Sequence, residues 1–259
     1  PAPSHTPALA RMRRTAGILF GVATHALFAF TVWHLVWFLK GDDPGPAAAA
    51  AFAPEMAAAL AVDLLLALVF AVPHSVLLVP EVRKRIVAGG LEAPLYGCLY
   101  CVVTCLALLV TILCWRPIDL VLWRWPGASA GVVSASFVAS WGALLGSLHL
   151  TGLGWQTGLT PWWHWVRGLP VPKRGFVERG AYRFLRHPVY LSFLGLVWFV
   201  PVITLDRAVL MAVWSAYIWL GSVHKDRRLL RFLGPAYREY QARVPGYPGI
   251  PFGPLARVK

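Results

Sequence analysis

The chain has 259 residues, 58% of them hydrophobic and only 14% charged, with 13 tryptophans and a formal charge of +13. A soluble domain carries about 25% charged residues, so the composition excludes an ordinary water-soluble fold and points to several membrane crossings. The positive charge alone is compatible with a nucleic-acid partner, so its placement along the chain decides what it serves.

Arg11, Arg13 and Arg14 precede an apolar run from Ala16 to Leu39. That run is too long for the core of a cleaved leader and reads as a first membrane helix. It stops at Lys40-Gly41-Asp42-Asp43-Pro44-Gly45-Pro46, ahead of a short alanine-rich stretch. A second segment, 56–79, holds the kink signal Pro73-His74-Ser75, closes at Pro80 and is flanked by Glu81-Val82-Arg83-Lys84-Arg85.

The third segment, 95–115, contains all four cysteines, and Cys98, Cys101 and Cys105 share one helical face. With no histidine or carboxylate beside them they are expected to pack as small residues, and no metal is expected. One helix cannot bridge its own neighbouring thiols without distortion, so no disulfide is expected either. The segment ends at Trp115-Arg116-Pro117, and Trp123 and Trp125 fall where an interfacial aromatic belt would lie. A fourth segment, 131–152, offers Gly142, Gly146 and Ser147 for close helix contact.

A polar loop from Leu153 to His187 follows, with Trp155, Trp162, Trp163 and Trp165. Its length marks it as functional and its tryptophans argue against disorder. The last two apolar segments, 188–203 and 208–223, are separated only by Pro201-Val202-Ile203-Thr204-Leu205-Asp206 and read as a helical hairpin. The tail from His224 is basic, helical through Tyr240, then punctuated by Pro245, Pro248, Pro251 and Pro254.

Of the 24 lysines and arginines, 20 lie in the N-terminus, the second and fourth loops and the tail. Only Lys40, Arg116, Arg124 and Arg207 lie on the opposite side. This asymmetry predicts cytoplasmic termini. The charge then orients the chain and attracts anionic membrane lipid, and no nucleic acid is needed. The expected fold is all-α, a polytopic transmembrane bundle of five to six segments with a small cytoplasmic cap. It forms a single domain, 1–259, with a four-helix membrane part over 15–152 and a loop, hairpin and tail over 153–259.

Arg179-Gly180-Ala181-Tyr182-Arg183-Phe184-Leu185-Arg186-His187-Pro188-Val189-Tyr190 stands where this loop enters the hairpin. It could hold a charged, adenosine-bearing cofactor in water while its reactive end faces something lipid-soluble. Followed in order by an apolar hairpin, Leu233-Gly234-Pro235-Ala236-Tyr237-Arg238-Glu239-Tyr240 and Val244-Pro245, it resembles the isoprenylcysteine carboxyl methyltransferase-like superfamily. These are integral-membrane enzymes that use S-adenosyl-L-methionine. Asp63 to Pro80 and His149-Leu150-Thr151-Gly152-Leu153-Gly154-Trp155-Gln156 look like the bacterial methanethiol S-methyltransferase branch, which shares its layout with NnrU proteins.

The resemblance implies a methyltransferase of the bacterial inner membrane with a cytoplasmic cofactor site, turning methanethiol, a small hydrophobic thiol, into dimethyl sulfide. A lipid, prenylcysteine or other small acceptor, or an NnrU-like accessory protein without methyl transfer, are the alternatives. The family usually carries paired glutamates after the hairpin, where this chain has Lys225-Asp226.

The donor's carboxylate calls for Arg183, Arg186 or His187, and its adenine for an aromatic slot that Tyr182 and Tyr190 could line. Pro188 suits the first turn of a helix. Asp226, with Tyr237 and Tyr240, could accept from the ribose hydroxyls or the amino group. His74 and His149 are candidates to deprotonate the acceptor thiol. Asp63, an ionisable residue at membrane depth, is a functional candidate by position or a protonated partner inside the bundle.

Overall fold

The computed structural model describes residues 7–45, 51–173 and 175–258. Pro46 and the alanine-rich stretch after it lie outside the described residues, apart from Ala51. Four helices are long and apolar enough to cross a membrane. They are α1 (Pro7–Lys40), α2 (Pro54–Val76), α4 (Tyr96–Cys114) and α5 (Gly127–Thr151), with a short basic helix, α3 (Pro80–Ala88), between the second and third. Leu65, Val132, Val138 and Leu145 turn outward along them, as suits helices solvated by lipid tails. The protein is an integral membrane protein with an all-α bundle.

The chain forms two compact units. One comprises residues 1–36, 66–114 and 152–175, the other 37–65, 115–151 and 176–259.

In the first unit the tryptophan-rich loop folds into α6 (Leu153–Gln156) and α7 (Leu159–Val166). Two glycines of α1 let α7 approach closely, since a Cβ at Gly21 would lie 2.0 Å from the Trp162 indole and one at Gly17 2.4 Å from Trp165. Trp162 donates its indole N–H to the Gly17 carbonyl at 3.0 Å and packs on Leu95 and Cys98. Gly158 takes a positive φ of 81° against the backbone of Gly97, where a side chain on either residue would collide. Cys98, Cys101 and Cys105 are buried along α4, and the last two sulfurs stand 3.9 Å apart.

The second unit holds α5, β1 (Val121–Arg124), α8 (Pro188–Trp198), β2 (Val202–Thr204), α9 (Leu205–Leu233) and α10 (Pro235–Arg243). α8 lies closely on α5 at Gly195, where a Cβ would meet the Ser140 hydroxyl at 2.3 Å. The helix ends at Trp198, five residues short of the expected boundary at 203. Pro201 disfavours helical backbone at Val200, and the β-branched Val202, Ile203 and Thr204 pair antiparallel with β1. At its 11 residues α8 covers about 16 Å, roughly half of a hydrocarbon core.

This small sheet was not anticipated, because four residues of one loop meet three of another far along the chain. Around it, Trp115 donates its indole N–H to Asp206 at 3.0 Å and Thr204 its hydroxyl at 2.5 Å.

Candidate functional site

The site is built in the second unit, where the loop, α9, α10 and the tail converge. Gly180, at a positive φ of 59°, starts a tight turn through Arg183 directly against Leu150 of α5. The turn leads to Arg186 and His187, and Pro188 then opens α8 with its ring in the first turn.

Arg186 is 2% exposed and serves as the hub. One terminal nitrogen donates to the carbonyls of Val244 at 2.9 Å, Ala256 at 3.1 Å and Gln241 at 3.3 Å. The other reaches the Pro254 carbonyl at 3.4 Å and Asp226 at 3.0 Å. Its backbone N–H donates to Pro245 at 2.9 Å. Charge-assisted bonds of this kind hold the tail beneath the motif.

His187 is wholly buried, with Nε2 standing 3.0 Å from Asp226 Oδ1 and its ring 5.5 Å from that of Tyr190 and 5.7 Å from that of Tyr247. Tyr237 donates its hydroxyl to the same Asp226 oxygen at 2.5 Å. Tyr240 donates to the Tyr182 carbonyl at 2.6 Å, and Phe176 meets the edges of both the Tyr237 and Tyr240 rings. Tyr247 shares a short hydroxyl–hydroxyl bond with Ser222 at 2.5 Å and stacks on Trp219. The Lys225 ammonium lies 5.3 Å from the Tyr190 ring centre and 5.9 Å from that of Tyr182.

Electrostatics follow from burial and neighbours. Burial pushes the His187 imidazole below its ordinary value, against the pull of Asp226 in the other direction. For Asp226, burial pushes up, but His187, the Tyr237 hydroxyl and Arg186 together carry it below the usual carboxylate range. Asp226 is therefore the ionised partner, Arg186 its full counter-charge and His187 a neutral ring beside them. Burial also raises Tyr237 and Tyr240, and pushes Tyr247 up to about 12.

The structure thus brings together Tyr182, Arg186, His187, Pro188, Tyr190, Asp226, Tyr237 and Tyr240. Arg183 is exposed on the turn. Ser222, Trp219, Gln241 and Tyr247 were missed. The last is bracketed by Pro245, Gly246 and Pro248, a signal that a tyrosine is held on rigid backbone.

The three catalytic candidates stand in different surroundings. His149, exposed in the last turn of α5, lines a groove of about 980 Å³ between α5 and α8 together with Leu150, Ala181, Leu185, Pro188 and Ser192. His74, in the first unit, has the Tyr100 hydroxyl 3.0 Å from Nδ1 and packs on Phe70. Asp63, in the second unit, is fully buried and accepts the Arg116 backbone N–H on Oδ1 at 2.9 Å. Its Oδ2 has no hydrogen-bond partner among the described residues.

Several named proteins are similar to this chain in sequence. The methanethiol S-methyltransferase of Mycobacterium tuberculosis is 30% identical over 239 residues, covering 90% of this chain and 96% of the relative. Methanethiol S-methyltransferase 1 of Bradyrhizobium diazoefficiens is 28% identical over 239 residues, 90% of this chain and 82% of the relative. Nurim of Rattus norvegicus is 30% identical over 185 residues, 67% of this chain and 70% of the relative. No family model matches the chain, and no solved structure does.

Proposed function

The chain belongs to the isoprenylcysteine carboxyl methyltransferase-like membrane family, alongside methanethiol S-methyltransferases and nurim, and on that premise we propose that it is a membrane S-methyltransferase taking S-adenosyl-L-methionine as donor and methanethiol as acceptor. The observation that carries this reading is the mutual burial of Arg186, His187 and Asp226, 2%, 0% and 4% exposed. Border residues of an inert helix would instead reach out to headgroups.

The residues present fit such a donor. His187 Nδ1 and Arg186 Nε are buried and meet no hydrogen-bond partner among the described residues. Buried polar atoms in a native fold are normally paired, so a polar ligand is the natural complement. With Nε2 turned to Asp226 and the ring neutral, Nδ1 is an acceptor, suited to a hydroxyl or ammonium of the donor rather than to its carboxylate. The terminal nitrogens of Arg186 are turned to the tail and Asp226, so of the two arginines expected to meet the donor's carboxylate the exposed Arg183 has its guanidinium available. Tyr182, Tyr190 and Tyr247 supply aromatic faces.

When bound, S-adenosyl-L-methionine supplies an electrophilic methyl on a sulfonium sulfur. On the acceptor side, His149 takes the proton from the thiol sulfur, leaving a thiolate whose charge is neutralised as the new carbon–sulfur bond forms and the methyl's bond to the sulfonium breaks, its electron pair staying on the departing thioether sulfur. Loss of opposite charges is favoured in an apolar, water-poor place, and the groove beside His149 has such walls. The charge asymmetry supports a cytoplasmic cofactor site with both termini on that side, and the bacterial methanethiol S-methyltransferases among the relatives support a bacterial inner membrane.

The test is methyl transfer from labelled donor in membranes carrying the chain. Donor- and methanethiol-dependent dimethyl sulfide is the expected product, and donor binding with no thiol methylated would remove the acceptor half of the reading. The 980 Å³ groove is far larger than methanethiol requires. That observation favours a second reading in which a lipid-like or prenylated acceptor lies along α8, and the same assay run with such acceptors separates the two.

A further inference from the structure

Lys225 is held where its charge has a chemical meaning. Its ammonium sits over two aromatic faces, Tyr190 at 5.3 Å and Tyr182 at 5.9 Å. Both distances are within the reach of a cation–π attraction, which depends on ring quadrupole and positive charge and not on whether the cation is nitrogen or sulfur. Tyr190 is in turn 5.5 Å, ring to ring, from His187, so this aromatic pair belongs to the cluster assigned to the donor. The neighbouring Asp226 directs its oxygens to Arg186, His187 and Tyr237.

We propose that the faces of Tyr182 and Tyr190 form a cation subsite, that Lys225 is its resident occupant, and that a sulfonium ligand must displace the ammonium to enter. The inference rests on the donor reading given above. Two unit positive charges a few ångströms apart in a partly buried site repel strongly. The lysine stem is long and flexible, and Lys225 is only half-buried on α9, so the ammonium can withdraw towards water. A thioether carries no charge and meets no such competition. Lys225 therefore sets the preference of the site between the charged donor and its neutral product, and weakens the donor selectively.

The experiment is calorimetric titration of the purified full-length protein in detergent with S-adenosylmethionine and S-adenosylhomocysteine, which differ by one methyl and one charge. The unaltered chain is expected to bind the thioether about tenfold more tightly than the sulfonium. K225M, with K225Q as a second neutral variant should the first fold poorly, is expected to bring the two affinities within about twofold. K225R keeps the cation and should keep the wide ratio. An unchanged ratio in the neutral variants, with both ligands still binding, overturns the inference and leaves the donor reading intact. Failure of the unaltered protein to bind either ligand overturns both.

Discussion

His187 Nε2 and Asp226 Oδ1 stand 3.0 Å apart with neither residue open to solvent, and Arg186 approaches the other oxygen of the same carboxylate at 3.0 Å. One carboxylate of α9 thus anchors two consecutive residues of the loop motif, and the integrity of the site depends on that anchor.

Asp226→Ala should accordingly destabilise the protein by about 3–5 kcal/mol, because it strands the Arg186 guanidinium without its counter-charge. Thermal unfolding in detergent measures this. Adding Arg186→Met to the same variant should recover part of the loss, since the two residues are directly coupled.

Acid should weaken the fold through His187. Its folded value lies below the ordinary 6.5, so below that pH the unfolded chain takes up the proton more readily than the native one. Stability present above pH 6.5 is then lost progressively as pH falls towards the folded value. Asp226, also held below its ordinary 3.8, adds a further loss at lower pH. Unfolding midpoints of the unaltered chain and His187→Gln, followed between neutral and mildly acid pH, should diverge in slope.

Tyr240→Phe removes the bond to the Tyr182 carbonyl and leaves that acceptor buried. The expected cost is about 1 kcal/mol, read as a lowered unfolding midpoint.

In the first unit, Gly158→Ala should be markedly destabilising. A Cβ there would stand 2.4 Å from the Cys98 nitrogen, and the residue holds a φ of 81°. Over-packing of this kind costs about 1–3 kcal/mol before backbone strain is added. Gly146→Ala, with nothing within 4 Å of the new carbon, is the matched control.

His149→Ala should lower methyl transfer to thiols by about 10²- to 10⁴-fold, the usual range for a positioned general base, while the affinity for S-adenosylhomocysteine is retained. Initial rates and calorimetry on the same preparation check both halves.

Much of this molecule is legible in its residues. Long apolar runs bounded by charge and proline give α1, α2, α4 and α5 directly, because a bilayer demands both length and internal backbone pairing. The cluster around His187 was readable because Tyr182 to Tyr190, Asp226, Tyr237 and Tyr240 are polar or aromatic residues set against apolar stretches. What stayed hidden depends on distant pairing. The tail carbonyls that receive Arg186 have no side-chain signature, so a guanidinium expected to face a ligand carboxylate has its terminal nitrogens turned to backbone and to Asp226 instead. The contact of β1 with β2 is likewise invisible in two short fragments whose local composition suits any interfacial loop.

The tie between Arg186 and the Ala256 carbonyl spans 70 positions of chain. At synthesis rates of about 5–20 residues per second, the membrane helices can be threaded into the bilayer several seconds before this guanidinium finds its last acceptors. A chain ending upstream of Pro254 would lack the Pro254 and Ala256 carbonyls that receive Arg186, and would keep a buried guanidinium short of acceptors. The buried cluster is thus completed by some of the last backbone groups the ribosome supplies.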